Sequence, residues 1–253
     1  MNDITVLKLS GKALTGTEEL SSVFMAARGR RLVIVHGGGV EVDSLFNELH
    51  LEVKKKNGLR VSPKEHMPYI SAALSGMCGK SLQALALGAG LKALSILSTD
   101  GNSLSVSQLD KDLGMVGIVK PCSCDYLNLL LDNGFTPIIA SLAFDDKGNL
   151  FNVNADDVAE AVAVLLNAPL YLISDVKGVL DRNGQLIESL DEAEALNLIA
   201  DGTITEGMAV KVKSALRAAS KIHQNVYIAS YKDPLLAENL MSRRQIGTSF
   251  RGF

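Results

Sequence analysis

The sequence predicts an α/β fold, a mainly parallel sheet with helices on both faces. Three observations predict it. Short apolar runs alternate with segments of helical period along the whole chain. One such run, Leu32-Val33-Ile34-Val35-His36, empties into Gly37-Gly38-Gly39, and Val42, Leu45, Phe46 and Leu49 then recur at i, i+3, i+4 and i+7. That order is strand, glycine turn, helix. Hydrophobic residues make up 47% of the 253 residues, enough to cover such a sheet on both faces. The length suits one large domain or two lobes sharing a sheet.

Taken in order, residues 4–9 read as a strand ending at Ser10-Gly11, and 18–28 as a helix. After the glycine turn and its helix, Lys54-Lys55-Lys56-Asn57-Gly58 reads as a hairpin with Asn-Gly at its tip. Ser62 as N-cap, Pro63 at N1 and Glu65 at N3 open a helix that runs to about 78, resumes over 80–87 and stops at Gly88-Ala89-Gly90. Residues 93–97 form a strand, and 104–119 a hairpin insertion outside the sheet core. A helix over 126–131 closes at Asn133-Gly134, followed by a strand at 136–140, a turn at 145–149 and a helix at 155–167. The remainder alternates: strand 170–173, helices 191–199 and 207–223, strand 226–229, helix 234–241. No low-complexity linker interrupts the chain. The expected division is a lobe of residues 1–165 and a second of 166–253.

Composition excludes several classes. A net charge of −3 provides no basic field for nucleic acid or an anionic membrane, so neither is an expected partner. No apolar run approaches the roughly 20 residues of a membrane span, and Met1-Asn2-Asp3 does not open a secretory leader. Three cysteines, two of them in Cys122-Ser123-Cys124, suit a reduced, cytoplasmic protein. The four histidines lack metal-ligand spacing, so no protein metal site is expected. A G-x-x-x-x-G-K-[ST] loop is absent. A dinucleotide fingerprint from Gly37 would need Gly or Ala at position 42, where the chain has Val42.

What remains is anion chemistry. Residues without Cβ at 37–39 let the backbone approach an anion, and the following helix adds free N–H groups and the positive end of its dipole. Lys8 stands at the end of the first strand, where ligands of parallel sheets gather; the plain alternative is a solvated lysine. Lys213, Arg217 and Lys221 form a basic stripe, most simply a solvated face. Lys211 lies roughly 200° away on that helix, among Met208, Ala215 and Ala218, where its charge must either snorkel outward or meet an anion. Asn152-Val153-Asn154-Ala155-Asp156 carries three short polar side chains on a turn where one cap suffices. Asp156 can therefore hold ammonium groups without transferring a proton. The loop Asp175-Val176-Lys177-Gly178-Val179-Leu180 follows a strand, as either a nucleotide contact or a connection. Thr203-Ile204-Thr205-Glu206 has a capping-box pattern.

With Lys8, His36-Gly37-Gly38-Gly39, residues 152–156 and Lys211 together, the chain resembles the amino-acid kinase family from Lys8 to the Gly247-Thr248 tail. The stretch Val53-Lys54-Lys55-Lys56-Asn57-Gly58-Leu59-Arg60-Val61 resembles those members that phosphorylate N-acetyl-L-glutamate. The resemblance implies an open αβα sandwich with an acyl-amino-acid and dimerisation lobe, an ATP lobe, and Mg²⁺ held mainly by the nucleotide phosphates. It implies that Gly38, Gly39, Arg60 and Asn152 bind the acyl amino acid, Arg60 through the α-carboxylate. Asp175 to Leu180, with Thr203, Ile204 and Thr205, would line the nucleotide site, and Gly11 would lie near the transferred phosphate. Lys8 and Lys211 would stabilise the transition state and Asp156 would orient them, with His36 outside the catalytic set. The implied reaction is γ-carboxylate phosphorylation in arginine biosynthesis. The rival readings are another acyl amino acid or carbamate as acceptor, and a catalytically silent sensor. The first strand begins by Ile4, leaving no room for the extra helix of feedback-inhibited hexameric relatives, so the arginine-insensitive homodimeric type is expected. One departure is Ser10 where the family has glycine. Either the turn differs slightly or Ser10 avoids positive φ.

Overall fold

The computed structural model describes residues 3–56, 58–222 and 224–251; Asn57 of the expected hairpin tip and His223 of the expected helix end lie outside them. The first half of the chain forms β1 (Ile4–Leu9), α1 (Thr17–Ala26), β2 (Arg31–His36), α2 (Gly39–Glu48), the short pair β3 (Lys55–Lys56) and β4 (Leu59–Arg60), α3 (Met67–Ser71), α4 (Lys80–Gly88) and β5 (Lys92–Leu97). Next come β6 (Leu104–Gln108), β7 (Val116–Pro121), α5 (Asp125–Asp132), β8 (Phe135–Ala140), β9 (Leu142–Phe144), β10 (Leu150–Val153) and α6 (Ala155–Leu166). The last part holds β11 (Leu170–Ser174), β12 (Ser189–Leu190), α7 (Glu192–Ala200), α8 (Glu206–Ala219), β13 (Val226–Ser230), α9 (Leu236–Ser242) and β14 (Thr248–Phe250).

Eight strands form the central sheet in the order β12-β14-β13-β11-β1-β2-β8-β5. All its pairs are parallel except β13 with β14. Strand order runs outward from β1 in both directions, through β2 on one side and β11 on the other. A crevice therefore opens between the carboxyl ends of β1 and β11, the topological switch point where such sheets bind ligands.

Side-chain alternation assigns the two faces. Val6, Val33, Leu172 and Ile228 pack on one face with α5, α6 and α8. Leu7, Ile34, Ile173 and Ala229 pack on the other with α1, α4 and α9. Lys8 follows Val6 by two positions and so faces α6; Ser174 follows Leu172 and so faces α8. That parity brings the first helical turn of α6 over Lys8.

The hairpin β6–β7 lies outside the central sheet, as expected, and pairs with β10 and β9 in a separate four-stranded sheet. Asn152 is therefore on a strand, not on the turn that the sequence suggested. Strands of two to four residues, such as β9, β10, β12 and β14, carry too little period to be read from sequence.

The Ser62 cap is also corrected. Ser62 is fully buried, its hydroxyl donates to Arg60 O at 3.0 Å, and it accepts from Asn152 Nδ2 at 3.1 Å. The helical region instead begins with a single 3₁₀ turn, Lys64–His66, whose N-cap is Pro63. Between α3 and α4 the chain stays helical through a π-helical stretch, Ala72–Gly79.

The basic stripe of α8 is not simply solvated. Arg217 Nε donates to Glu160 Oε2 at 2.8 Å, Lys221 Nζ donates to Glu160 Oε1 at 2.5 Å, and Arg217 also pairs with Asp157. Glu160 is 7% exposed, so α6 and α8 are joined through a buried carboxylate. Its cations are half-exposed and regain water when released, which limits the loss. Glu160→Gln is expected to lower stability by about 1–2 kcal/mol, read as a shift in denaturant midpoint; an unchanged midpoint would remove the coupling.

Candidate active site

Beside the switch point, a cavity of about 300 Å³ opens at the carboxyl ends of β1 and β2, and Lys8, Gly11, Gly38, Gly39, Arg60 and Asn152 line it. Strand register brings its walls together: Lys8 lies beside Val35 and Leu172, and Leu9 beside His36 and Ile173. The loops leaving β1, β2 and β11 thus emerge side by side.

In the glycine turn, Gly38 is required by packing. A Cβ there would lie 2.6 Å from Cys78 Sγ and 2.8 Å from Leu74 Cδ2, both on the π-helical stretch. Burial, with Glu41 nearby, pushes the Cys78 thiol up to about 12, so it stays a neutral packing group. At Gly39 a Cβ would meet nothing within 4 Å. The N-terminus of α2 receives no side-chain cap and its first-turn N–H groups border the cavity.

His36 fixes the turn from beneath. It is fully buried and its Nδ1 lies 2.8 Å from Gly37 O; the carbonyl can only accept, so Nδ1 carries the proton and Nε2 is a buried acceptor without a partner among the described residues. Burial lowers its pKa, against the opposing bond to Gly37. The folded state therefore refuses a proton that the unfolded chain accepts near pH 6.5. Stability is expected to fall as pH drops below about 6.5. His36→Asn should flatten that slope between pH 7 and 5.5 in chemical denaturation. An unaltered slope would place the titration elsewhere.

The polar segment before α6 divides three tasks. Asn154 is the N-cap, accepting from Asp156 N at 2.8 Å. Asn152 holds Ser62, and Asp156 Oδ1 meets Lys8 Nζ at 2.8 Å. Arg60 pairs through Nη2 with Asp43 Oδ1 at 2.5 Å and donates to Gly39 O at 3.1 Å. Its side chain is 8% exposed and stacks over Phe46, while Nη1 is buried without a hydrogen-bond partner among the described residues. An unpaired guanidinium N–H beside the cavity is a ready donor to a carboxylate.

Across the crevice, Lys211 Nζ donates to Ser174 Oγ at 3.0 Å and stands 3.8 Å from Asp175 Oδ1. Burial lowers its pKa, Asp175 opposes this, and Lys8 and Lys12 add like charge, which places three ammonium groups within electrostatic reach. Asp156 belongs to the same set of charges. A second cavity, of about 280 Å³, is lined by Val176, Lys177, Gly178, Val179 and Leu180 with Thr203, Ile204 and Thr205. Gly178 has φ +143°, and a Cβ there would sit 2.6 Å from Thr248 Oγ1. Thr248 accepts from Val179 N at 2.8 Å, so the last strand pins this loop.

The Thr203 capping box is not formed, because α8 starts two residues later, with Thr205 as N-cap and no side-chain cap hydrogen bond. Thr203 Oγ1 accepts from Arg182 Nε instead, at 3.0 Å; the Glu206 side chain lies outside the described residues. Sequence reasoning also missed Asp43, Thr248 and Lys12. The first two act over long separations that leave no local signal, whereas Lys12 directly follows Gly11.

Residues 3–230 match the amino acid kinase family. The chain belongs to that family. Two curated relatives of this amino-acid kinase are named acetylglutamate kinase. The one from Vibrio campbellii is 45% identical over 251 residues, 97% of this chain and 95% of the relative. The other, from Vibrio vulnificus, is 44% identical over the same shares. A solved structure from Streptococcus mutans UA159, smu.665, matches both chains in full with a TM-score of 0.83 at 35% identity. N-acetylglutamate synthase from Neisseria gonorrhoeae, 24% identical, has the same fold over 99% of this chain and 59% of its own, with a TM-score of 0.82.

Proposed function

We infer that this amino-acid kinase transfers the γ-phosphoryl group of ATP to the γ-carboxylate of N-acetyl-L-glutamate. The products are N-acetyl-L-glutamyl 5-phosphate and ADP, the second step of arginine biosynthesis. The observation that carries the reading is the pairing of Lys8, which lines the first cavity, with Lys211, which lies within electrostatic reach of it, each beside a carboxylate. The first cavity suits an anionic acyl amino acid: Arg60 takes the α-carboxylate, while Gly38, Gly39 and Asn152 supply close backbone and amide contacts. The second suits the nucleotide, held by 175–180 and 203–205, with Gly11 near the moving group. Residues 1–165 are accordingly the acyl-amino-acid lobe and 166–253 the ATP lobe.

Phosphoryl transfer asks for in-line positioning and neutralised charge rather than covalent help. The attacking carboxylate is already ionised at pH 7, so no side chain needs to remove a proton. Lys8 neutralises charge on the transferring group from the β1 side and Lys211 from the α8 side, while Asp156 fixes the Lys8 ammonium. Among the described residues, no three His, Cys, Asp or Glu side chains are grouped to hold a metal. Asp156 and Asp175 are both engaged by lysines. That donor set fits a Mg²⁺ carried by the nucleotide, to which it would supply charge neutralisation.

A homodimer is supported by the open edge of β5 and by the exposed apolar side chains Met77 and Leu87 on the helices packed beside it. Light scattering at twice the chain mass would bear this out, and a monomer would end it. A cytoplasmic location accords with three free cysteines. Among the described residues no helix is long and apolar enough to cross a membrane.

The test is Mg²⁺-dependent ADP release with hydroxylamine present to trap an acyl phosphate. N-acetyl-L-glutamate is run beside L-glutamate, N-acetyl-L-aspartate, and bicarbonate with ammonia. Hydroxamate is expected with N-acetyl-L-glutamate alone. Turnover with a different acceptor would move the specificity, and silence from folded, ATP-binding protein would overturn the reaction.

A further inference from the structure

Lys12 has no part in the mechanism above, yet it pairs with the same carboxylate, Asp175, that stands beside Lys211. It sits on the 3₁₀ turn Gly11–Thr15 that leaves β1. Ser10 stands where the family has glycine, at φ −73°, and its side chain accepts from Ala13 N at 3.4 Å, capping that turn. The serine thus avoids positive φ, and the backbone that presents Lys12 is held at its start. Ser10 N also bonds Ile173 O at 3.0 Å, tying the turn to the end of β11.

Lys12 Nζ reaches Asp175 Oδ2 at 2.7 Å, while Asp175 Oδ1 lies 3.8 Å from Lys211 Nζ. One carboxylate at the switch point therefore gathers two ammonium groups, one arriving from the β1 side and one from α8. The hydrogen bond from Lys12 is the main reason the Asp175 carboxyl is held below its usual range. Counting Lys8 and Asp156, three ammonium groups face two carboxylates, and the crevice keeps a net positive charge. The Lys12 side chain is 69% exposed. An ion pair so exposed contributes little to folding, and a lysine head on a flexible four-carbon stem can exchange one oxyanion for another.

Resting on the nucleotide reading given above, we propose that Lys12 is a third cation for the polyphosphate of the nucleotide, parked on Asp175 and shared with the terminal phosphates when the nucleotide binds. Asp175 is then a positioning residue for Lys12 and Lys211 alike. The ligand chemistry is a nucleoside di- or triphosphate, distinguished from a monophosphate by the charge Lys12 meets.

Calorimetric binding of ATP, ADP and AMP to the full chain, with Mg²⁺, is compared among wild type, Lys12→Met and Lys12→Arg. The expected result is about tenfold weaker ATP binding in Lys12→Met, AMP affinity unchanged, and most of the loss recovered in Lys12→Arg. Equal effects on ATP and AMP would overturn the proposal, as would a lowered denaturation midpoint with ATP affinity intact, the mark of a merely structural pair. Failure of the wild-type chain to bind any of the three would overturn the nucleotide reading itself, and this one with it.

Discussion

Lys211→Ala is expected to lower kcat by about 10²–10³, the effect of losing about 2.7–4 kcal/mol of preorganised stabilisation, with KM for either substrate little changed. The Lys211 ammonium is held by Ser174 and Asp175 before any substrate arrives, so it needs no reorganisation as charge moves onto the phosphoryl oxygens. It is also partly buried, where a charge interacts more strongly than in bulk water. Steady-state kinetics with both substrates varied, together with nucleotide titration of the variant, separates the two effects. A loss confined to KM would make Lys211 a binding group and remove it from the transition state.

Arg60→Lys is expected to raise KM for N-acetyl-L-glutamate by about 1.5–3 kcal/mol, roughly 10- to 150-fold, with a smaller change in kcat. Arg60 arrives with two of its directions used, toward Asp43 and Gly39 O, and with Nη1 buried and unpaired among the described residues. A carboxylate supplies the missing acceptor. Lysine cannot span the three partners, because its single ammonium lacks the planar fork. Burial raises the Asp43 carboxyl, and Arg60 and Lys55 together bring it below its usual range. Asp43 is thus charged whenever the enzyme works and holds the guanidinium in place. An unchanged KM would assign Arg60 to the fold alone.

The alternation of apolar runs with helical periods was sufficient for the parallel sheet, its two helical layers and the ends of its longer strands. Those features follow from local side-chain periodicity, which a single chain records. Lys8, the glycine turn and Lys211 stand out as candidates for the same reason: each breaks a local pattern, as a cation at a strand end, three residues without Cβ, or a charge on a small apolar helix face. The partners were not legible. Asp43 beneath Arg60, Asp175 between Lys12 and Lys211, and Thr248 under the 176–180 loop are joined across 17 to 163 positions of chain. The same holds for Arg217 and Lys221, a solvated stripe by local period, to which α6 presents Asp157 and Glu160. Ser62 behaved likewise, its hydroxyl drawn from a helix cap to Asn152, 90 residues away. Sequence period determines which face of an element is buried; which charges meet across that face depends on strand order and register, and only the folded sheet decides those.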